Sequence, residues 1–253
     1  MIYFTSVYED EITHQIMLKI YEYFGCFFEY KAILCNGKGK IKKRIKAYNN
    51  AAQHGYYFII ADLDNEYECA PFLINDWLPD IRSSQLLFRV AVHEVESWIL
   101  ADKENLAAFF SISKELVPLY PDNEMDPKRT IISLAKRSRK REIREAIVPI
   151  DDYASIGPEY NTKLQSFIQS FWSIDSARKN SYSLDKAIKS LEKTANLIIN
   201  IEHKTKFCAK ARDRSPGWRI TRFRLVQQSF VFIWGTRLPG TFSCALQLWQ
   251  DRI

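Results

Sequence analysis

The sequence lacks long apolar segments and has little glycine or proline. No stretch approaches the ~18 uncharged apolar residues that a membrane span requires, and the N-terminal MIYFTSVYEDE reaches acidic residues too early for a signal peptide. We therefore expect a cytoplasmic protein with no membrane partner. Only 8 Gly and 9 Pro occur in 253 residues, and 47% of the residues are hydrophobic. This composition excludes a largely disordered chain and predicts one substantial core, with or without a smaller appendage.

Two common ligand-binding signatures are also missing. None of the five cysteines stands in CxxC spacing, so neither a zinc knuckle nor a disulfide framework is indicated, and we expect ordinary buried thiols. The segment GKGK at 37–40 lacks the GxxxxGK[ST] spacing of the phosphate-binding loop of ATPases. The net charge of +6 permits a polyanionic partner without requiring one.

Short apolar runs alternate with helical periodicity over the first hundred residues. The runs are IYFTSV, EYKAIL, YYFIIA and LLFRVAV. Between the first two, Ile12, Ile16 and Ile20 recur at helical spacing. Because several runs are apolar throughout, they predict an α/β fold with a parallel sheet covered by helices on both faces.

Three regions follow from this pattern. Residues 1–110 form the predicted α/β domain, 111–200 a helical region packed on or beside it, and 201–253 a basic, aromatic extension. In the extension, Trp218 and Phe223 stand near arginines and are candidates for stacking on bases. The alternative is an extension with little defined role, whose aromatic residues only cover the core.

Acidic residues follow the first and third predicted strands. Glu9 and Asp10 come just after the first strand, and Asp62 and Asp64 just after the third. The carboxyl ends of parallel strands share one edge of a sheet. Carboxylates crowded there repel one another, and a divalent cation with oxygen ligands relieves that repulsion. We predict a site for a hard divalent cation; the alternative is that one aspartate only caps the following helix or fills a turn.

The segment HEVESWILAD adds a further acidic candidate. We predict a helix beginning at His93, in which Glu96 lies on the flank of the apolar face and Glu94 points nearly the opposite way. A carboxylate on an inward flank needs a partner. Glu96 is therefore either paired with an arginine of the later basic segment or part of the acidic cluster.

A dense group of cations lies between 128 and 149. Its central members, Arg137, Arg139, Lys140, Arg141 and Arg144, are the predicted nucleic-acid contacts. A phosphate backbone requires concentrated cations of this kind. Charge runs are also typical of solvated helix faces, so that interpretation stays open.

Six segments in order resemble a bacterial toprim-like family of unknown function that is often encountered in phage-defence settings. They are YEDEIT, DLDNEYECAPFL, RVAVHEVESWILADKENLAAFF, DPKRTIISLAKRSRKREIREAIVP, GPEYNTKLQSFIQSFW and NSYSLDKAIKSL. The resemblance covers residues 1 to about 195. Toprim domains hold Mg²⁺ for phosphoryl transfer on nucleic acids.

The resemblance assigns roles to three acidic residues. It implies that Asp62 and Asp64 form the DxD pair that holds Mg²⁺ or Mn²⁺, and that Glu9 is a metal ligand or the general acid/base. To these we add Glu96 as a supporting catalytic acid, because of its position on the inward flank of its predicted helix. Tyr8 stands where the common pattern has its glutamate, and Glu9 is one residue later.

Two functions are compatible with this resemblance. The first is a Mg²⁺-dependent phosphodiesterase or nuclease acting on DNA or RNA. The second is a non-catalytic sensor or scaffold subunit that partners an ATPase, and the shifted position of Glu9 favours it. The sequence does not distinguish DNA from RNA.

Overall fold

The computed structural model describes residues 2–151 and 153–212. The chain divides into two compact units, Met1–His203 and Lys204–Ile253. All side chains discussed below belong to the first unit.

The first unit contains a four-stranded parallel sheet. Its strands are β1 (Ile2–Tyr8), β2 (Phe28–Leu34), β3 (Tyr56–Asp62) and β4 (Leu86–Ala91). Their order across the sheet is β2-β1-β3-β4, and every neighbouring pair is parallel. The predicted α/β fold with an all-parallel sheet is confirmed. The central strands β1 and β3 end side by side, which brings the residues after them to one edge.

Helices alternate with the strands and follow the sheet along the chain. They are α1 (Glu11–Phe24), α2 (Lys38–Ala51), α3 (Ala70–Trp77), α4 (Glu96–Ala101), α5 (Lys103–Phe110), α6 (Pro127–Lys136), α7 (Arg141–Ile147), α8 (Tyr160–Ser170), α9 (Ile174–Ala177) and α10 (Tyr182–Arg212). In the part of the chain that the structure describes, no helix is long and apolar enough to cross a membrane. The predicted base-stacking residues Trp218 and Phe223 lie outside the described residues.

The two faces of the sheet carry separate apolar clusters. One cluster joins strand residues such as Phe4 and Phe58 to α1 and to the later helices α4 to α10. The other joins Ile59 and Val90 to Ile41 of α2 and Trp77 of α3. Residues 111–197 therefore contribute to the same core as the sheet.

Trp98 of α4 connects the sheet domain to the C-terminal helices. It is fully buried. Its indole N–H donates to Ser183 Oγ at 2.7 Å, and its backbone carbonyl accepts the indole N–H of Trp172 at 3.0 Å. These bonds fix α4, and hence the turn that precedes it, relative to α10.

Gly157 marks a close approach between the α7–α8 connection and the end of α7. A Cβ at this position would lie 2.4 Å from the carbonyl oxygen of Ala146, a distance that no side chain tolerates. The Gly157 N–H donates to Ile147 O at 3.0 Å. The glycine thus allows the backbone contact that leads directly into α8.

The predicted helix beginning at His93 is wrong in its first residues, because α4 begins at Glu96. His93 has a left-handed backbone with φ of 59°, which α-helical geometry does not allow. Residues 92–95 therefore form a turn, and the rotation angles inferred for Glu94 from a continuous helix do not apply.

Candidate functional site

Asp62, the last residue of β3, links the sheet edge to the turn before α4. Its Oδ1 accepts the Val95 N–H at 3.0 Å. Burial raises the pKa of Asp62 well above its usual value, and the negative charges of Glu96 and Glu9 raise it further. Asp62 therefore lies close enough to Glu9 for their charges to interact, so the acids that follow β1 and β3 come together at this edge of the sheet.

Glu9 follows β1, and its negative charge contributes to the raised pKa of Asp62. One carboxylate oxygen, Oε2, is buried and has no hydrogen-bond partner. Burial raises the pKa of Glu9; the backbone N–H of Lys38 donates to the carboxylate and lowers it, and the charges of Asp10 and Asp64 raise it again. Glu9 thus holds an unpaired acceptor close to other acids.

Asp10 has a structural role that explains its position. It is the N-cap of α1, and its Oδ1 accepts the Thr13 N–H at 2.8 Å. Capping of this kind satisfies a backbone donor that the helix leaves free. The sequence left helix capping open as an alternative role for Asp62 or Asp64. The structure shows that role at Asp10 instead.

Asp64 lies at the rim and already has a cationic partner. Its backbone is left-handed, with φ of 50°, and its N–H donates to His93 O at 2.7 Å. Its carboxylate pairs with the Lys38 ammonium, which lies 3.1 Å from Glu66 Oε1. Burial alone would lower the pKa of Lys38, but its bonds to Asp64 and Glu66 raise it. Lys38 therefore remains positively charged at neutral pH.

Glu96 and Glu94 share one cation across the turn. Glu96 is 2% exposed. The Lys128 ammonium lies 3.6 Å from Oε1 of each glutamate, and the Lys128 N–H donates to Glu94 Oε2 at 3.1 Å. The cation that pairs with Glu96 is therefore Lys128, not an arginine as the sequence suggested. The prediction that Glu94 points nearly opposite to Glu96 is wrong, because these residues precede or begin the helix.

Burial determines the ionisation of Glu96. It raises the pKa of Glu96 to about 7, against the attraction of Lys128. The Tyr160 hydroxyl donates to Glu96 Oε1 at 3.3 Å. Burial would lower the pKa of Lys128, but Glu96 and Glu94 raise it above its usual value. The site therefore contains one glutamate whose charge changes near neutral pH.

Three residues of this site were not identified from the sequence: Lys38, Lys128 and Tyr160. Lys38 lies in the GKGK segment, which was considered only as a nucleotide-binding loop. Tyr160 lies in the GPEYN segment of the family resemblance, where no chemical role was assigned. Lys128 and Tyr160 lie in segments that carry the family resemblance, and Lys38 follows shortly after the end of β2. Their contacts could not be predicted because they depend on the tertiary fold.

The donor atoms at this edge suit a hard divalent cation. Glu9 supplies a buried unpaired oxygen, and Asp62 supplies a second carboxylate whose ionisation the surrounding acids oppose. Among residues 2–151 and 153–197, no group of three Asp, Glu, His or Cys side chains already has the arrangement of a metal centre. Asp64, the third ligand that the sequence predicts, is bonded to Lys38.

Four of the five predicted nucleic-acid contacts are exposed. Arg137, Arg139, Lys140 and Arg141 are exposed, and Arg144 is half-buried. Arg137 and Arg139 have no carboxylate partner within the described residues. Arg141 pairs with Glu145 at 2.7 Å, and the Lys140 ammonium donates to Phe109 O at 3.0 Å.

A buried serine holds this basic loop in place. Ser138 Oγ donates to Phe110 O and accepts the Lys140 N–H at 3.0 Å. Arg144 donates to the Ser138 carbonyl, so its guanidinium supports the loop as well as contributing charge. These hydrogen bonds hold the loop between α6 and α7, which carries the exposed cations.

Helix α6 connects the basic loop to the acidic site. Lys128 in its first turn contacts Glu94 and Glu96. Arg137 follows nine residues later, at the C-cap. At ~1.5 Å per residue, the loop starts about 13 Å along the helix axis from the acidic site.

The chain matches no protein-family model, no curated protein and no solved structure.

Proposed function

We propose that this chain is a divalent-metal-dependent phosphodiesterase or nuclease of toprim-like type. Its site consists of Asp62, Glu9 and Asp64 as ligands for Mg²⁺ or Mn²⁺, with Glu96 as the supporting acid. Its substrate is a nucleic acid, which the basic loop at 137–141 contacts through phosphates.

The observation that carries this proposal is the crowding of Glu9, Asp62 and Glu96 at the carboxyl edge of the sheet. Burial raises the pKa of each, and the charges of neighbouring acids contribute. A fold gains no stability from such an arrangement, and strongly perturbed carboxylates in one cluster are typical of functional sites. The buried, unpaired Oε2 of Glu9 provides a ligand position that the protein leaves unused.

Each side chain has a distinct role in this proposal. Glu9, with its raised pKa, takes a proton from water or returns one to the leaving oxygen. Lys38 and Lys128 supply positive charge for the phosphate and for the transition state. A bound divalent ion supplies the polarisation of a phosphoryl oxygen. Asp64 would complete the ligand set for the metal ion if its carboxylate were released from Lys38.

The test is a cleavage assay on labelled single-stranded and duplex DNA and RNA, with Mg²⁺, Mn²⁺ or chelator. Asp62→Asn and Glu9→Gln should each reduce metal-dependent cleavage by about 100-fold or more, since they remove a charge-stabilising or proton-transferring group. Calorimetric titration with Mn²⁺ should show weaker binding in Asp62→Asn.

Asp185→Asn is the matched control, because Asp185 belongs to a separate ion-pair network on α10. It should cleave at the parent rate. Cleavage that persists in Asp62→Asn, or a parent that binds no divalent ion, would contradict the proposed site.

The second candidate function is a sensor or scaffold subunit that does not cut. The bond between Lys38 and Asp64 favours it, because a fixed cation already neutralises one proposed ligand. The cleavage assay should therefore be repeated with the product of the neighbouring gene, because a nuclease of a defence system can require a partner ATPase. Absence of cleavage in both settings, with metal and nucleic-acid binding retained, identifies the scaffold.

We also propose a cytoplasmic location and a role in phage defence. Cys35 and Cys69 are free thiols, which is consistent with a reducing compartment. The role in defence rests on the family resemblance. It predicts that deletion of the gene increases the plaquing efficiency of phage on a host that carries it.

A further inference from the structure

We propose that the exposed lysines of α2 form a second nucleic-acid-binding surface, which leads the substrate to the acidic site from the side opposite the basic loop. This inference rests on the proposed function and names a further part of the substrate path. We call the surface the α2 stripe and define it as Lys40, Lys43 and Lys46.

The composition of α2 is strongly one-sided. The helix KGKIKKRIKAYNNA contains six Lys or Arg residues and no Asp or Glu. Its apolar residues Ile41 and Ile45 are buried in the core. The three lysines of the stripe are exposed on the remaining surface.

Five of the six cations of α2 fall into two groups, and the sixth, Arg44, interacts with Tyr48. Lys38 pairs with Asp64 and Glu66, and Lys42 lies 2.6 Å from Asp76. Lys40, Lys43 and Lys46, in contrast, have no carboxylate partner among residues 2–151 and 153–197. Their charge is therefore available to a ligand.

The concentration of positive charge in α2 opposes helix formation. Lys40 lies four residues before Arg44, and Lys42 four residues before Lys46, so like charges are neighbours on the surface. Lys38 and Lys40 also stand in the first turn, where the helix dipole disfavours cations, and the N-cap Gly37 supplies no side-chain bond. A polyanion bound along the helix relieves both penalties.

The start of α2 is part of the acidic site. The Lys38 N–H donates to the Glu9 carboxylate, and the Gly37 N–H donates to Glu9 O at 3.4 Å. At ~1.5 Å per residue, Lys46 lies about 12 Å along the axis from Lys38. The α2 stripe thus leads away from Glu9, as α6 leads away from Glu96 to the basic loop.

The surrounding side chains favour a nucleic acid over an anionic membrane. A helix that lies in a membrane surface exposes apolar side chains beside its cations. The other exposed residues of α2 are Gly39, Ala47 and Asn50, none of which has a large apolar side chain. A phosphodiester backbone requires only the spaced positive charges.

The experiment compares two triple variants of the full chain. One is Lys40→Gln, Lys43→Gln and Lys46→Gln. The other, the matched control, is Lys179→Gln, Lys186→Gln and Lys193→Gln, which removes three exposed lysines from the α9–α10 region. Circular dichroism checks that both are folded. Fluorescence anisotropy then measures affinity for a short labelled duplex over a range of KCl, in chelator so that no cleavage occurs.

The α2 variant should bind the duplex more weakly, and its log–log salt slope should be smaller by roughly 2 to 3, near 0.9 for each phosphate that a lysine no longer neutralises. The control triple should keep the parent slope. An unchanged slope in the folded α2 variant overturns the inference, as does binding of phosphatidylserine vesicles without binding of duplex.

This result is separable from the proposed function. A parent that cleaves in a metal-dependent way while the α2 variant keeps the parent slope refutes the stripe alone. A parent that never cleaves but loses salt-dependent binding in the α2 variant refutes the nuclease and supports the stripe.

Discussion

Two clusters of charged residues contain the same residue types, but they shift the pKa of an aspartate in opposite directions. Between α9 and α10, Arg178 lies 2.8 Å from Asp185 and 2.7 Å from Glu192, and Lys189 lies 2.6 Å from Asp185. Burial opposes ionisation of Asp185, but bonds from Lys189 and Arg178 outweigh it and lower its pKa. At the sheet edge, burial and neighbouring acids raise the pKa of Asp62 instead.

The difference separates a stabilising network from a candidate site. In the first cluster, cations and carboxylates alternate, so the folded state favours the charged forms. In the second, acids outnumber the cations that contact them, so the folded state opposes ionisation. Proteins tolerate this second arrangement where a ligand or a reaction uses it. Three measurements of stability test this distinction.

The largest expected effect follows from Lys128→Met at the acidic site. The change leaves Glu96 buried without its cation. Loss of one partner of a buried pair costs about 3–5 kcal/mol, and because the Lys128 side chain is 37% exposed we expect the lower end, about 3 kcal/mol. Urea denaturation at pH 8 should show this loss. It should shrink at pH 5, where Glu96 is protonated because burial raises its pKa to about 7.

The control for this variant is Lys189→Met in the paired cluster. Lys189 is 66% exposed, so its loss should cost less than about 1 kcal/mol. An equal loss for Lys128→Met at both pH values would show that Lys128 acts through packing rather than charge.

Glu96→Gln should have a smaller effect of opposite sign. Because burial raises the folded pKa of Glu96 from 4.5 to about 7, ionisation destabilises the parent progressively as pH rises between these values. The variant avoids this cost and should be more stable at pH 8 by up to about 3 kcal/mol. At pH 4 the two proteins should unfold alike. A variant that is less stable than the parent at pH 8 would show that attraction to Lys128 outweighs burial.

The smallest effect is expected for Asp185→Asn in the paired cluster. The folded pKa of Asp185 is lowered below 3.8, so the carboxylate stabilises the protein above that pH and loses the contribution as pH falls through the folded pKa. The variant should lose about 1 kcal/mol at pH 7, because the group is near the surface. Thermal unfolding at pH 7 and pH 2 would detect it, and a stabilised variant at pH 7 would contradict the comparison.

The sequence was sufficient for the sheet and for the position of the acids. The apolar runs predicted all four strands. Strand β3 is apolar along most of its length because a parallel strand buried on both faces needs continuous apolar residues, whereas the edge strand β2 is largely exposed. The same pattern placed Glu9 and Asp62 at one edge, since strand ends in a parallel sheet coincide. These inferences require only local sequence and one rule of topology.

The contacts of the site could not be predicted in the same way. The turn before α4 depends on the bond from Val95 N–H to Asp62, which spans 33 positions. Without knowledge of this bond, the sequence HEVES predicts the start of a helix. That prediction gives the Glu94 side chain the wrong direction. Lys38 and Lys128 were similarly hidden, because their partners lie on other elements.

The packing of α1 against α8 has a consequence for biosynthesis. Lys19 donates to Gln169 O and Tyr23 to Asp175, across 150 and 152 positions of the chain. At ~5–20 residues per second, the ribosome needs roughly 7–30 s after completing α1 before α8 exists to cover it. We expect the nascent chain to expose this face of α1 throughout that interval, so that chaperone occupancy and translation speed influence how much protein reaches the native state.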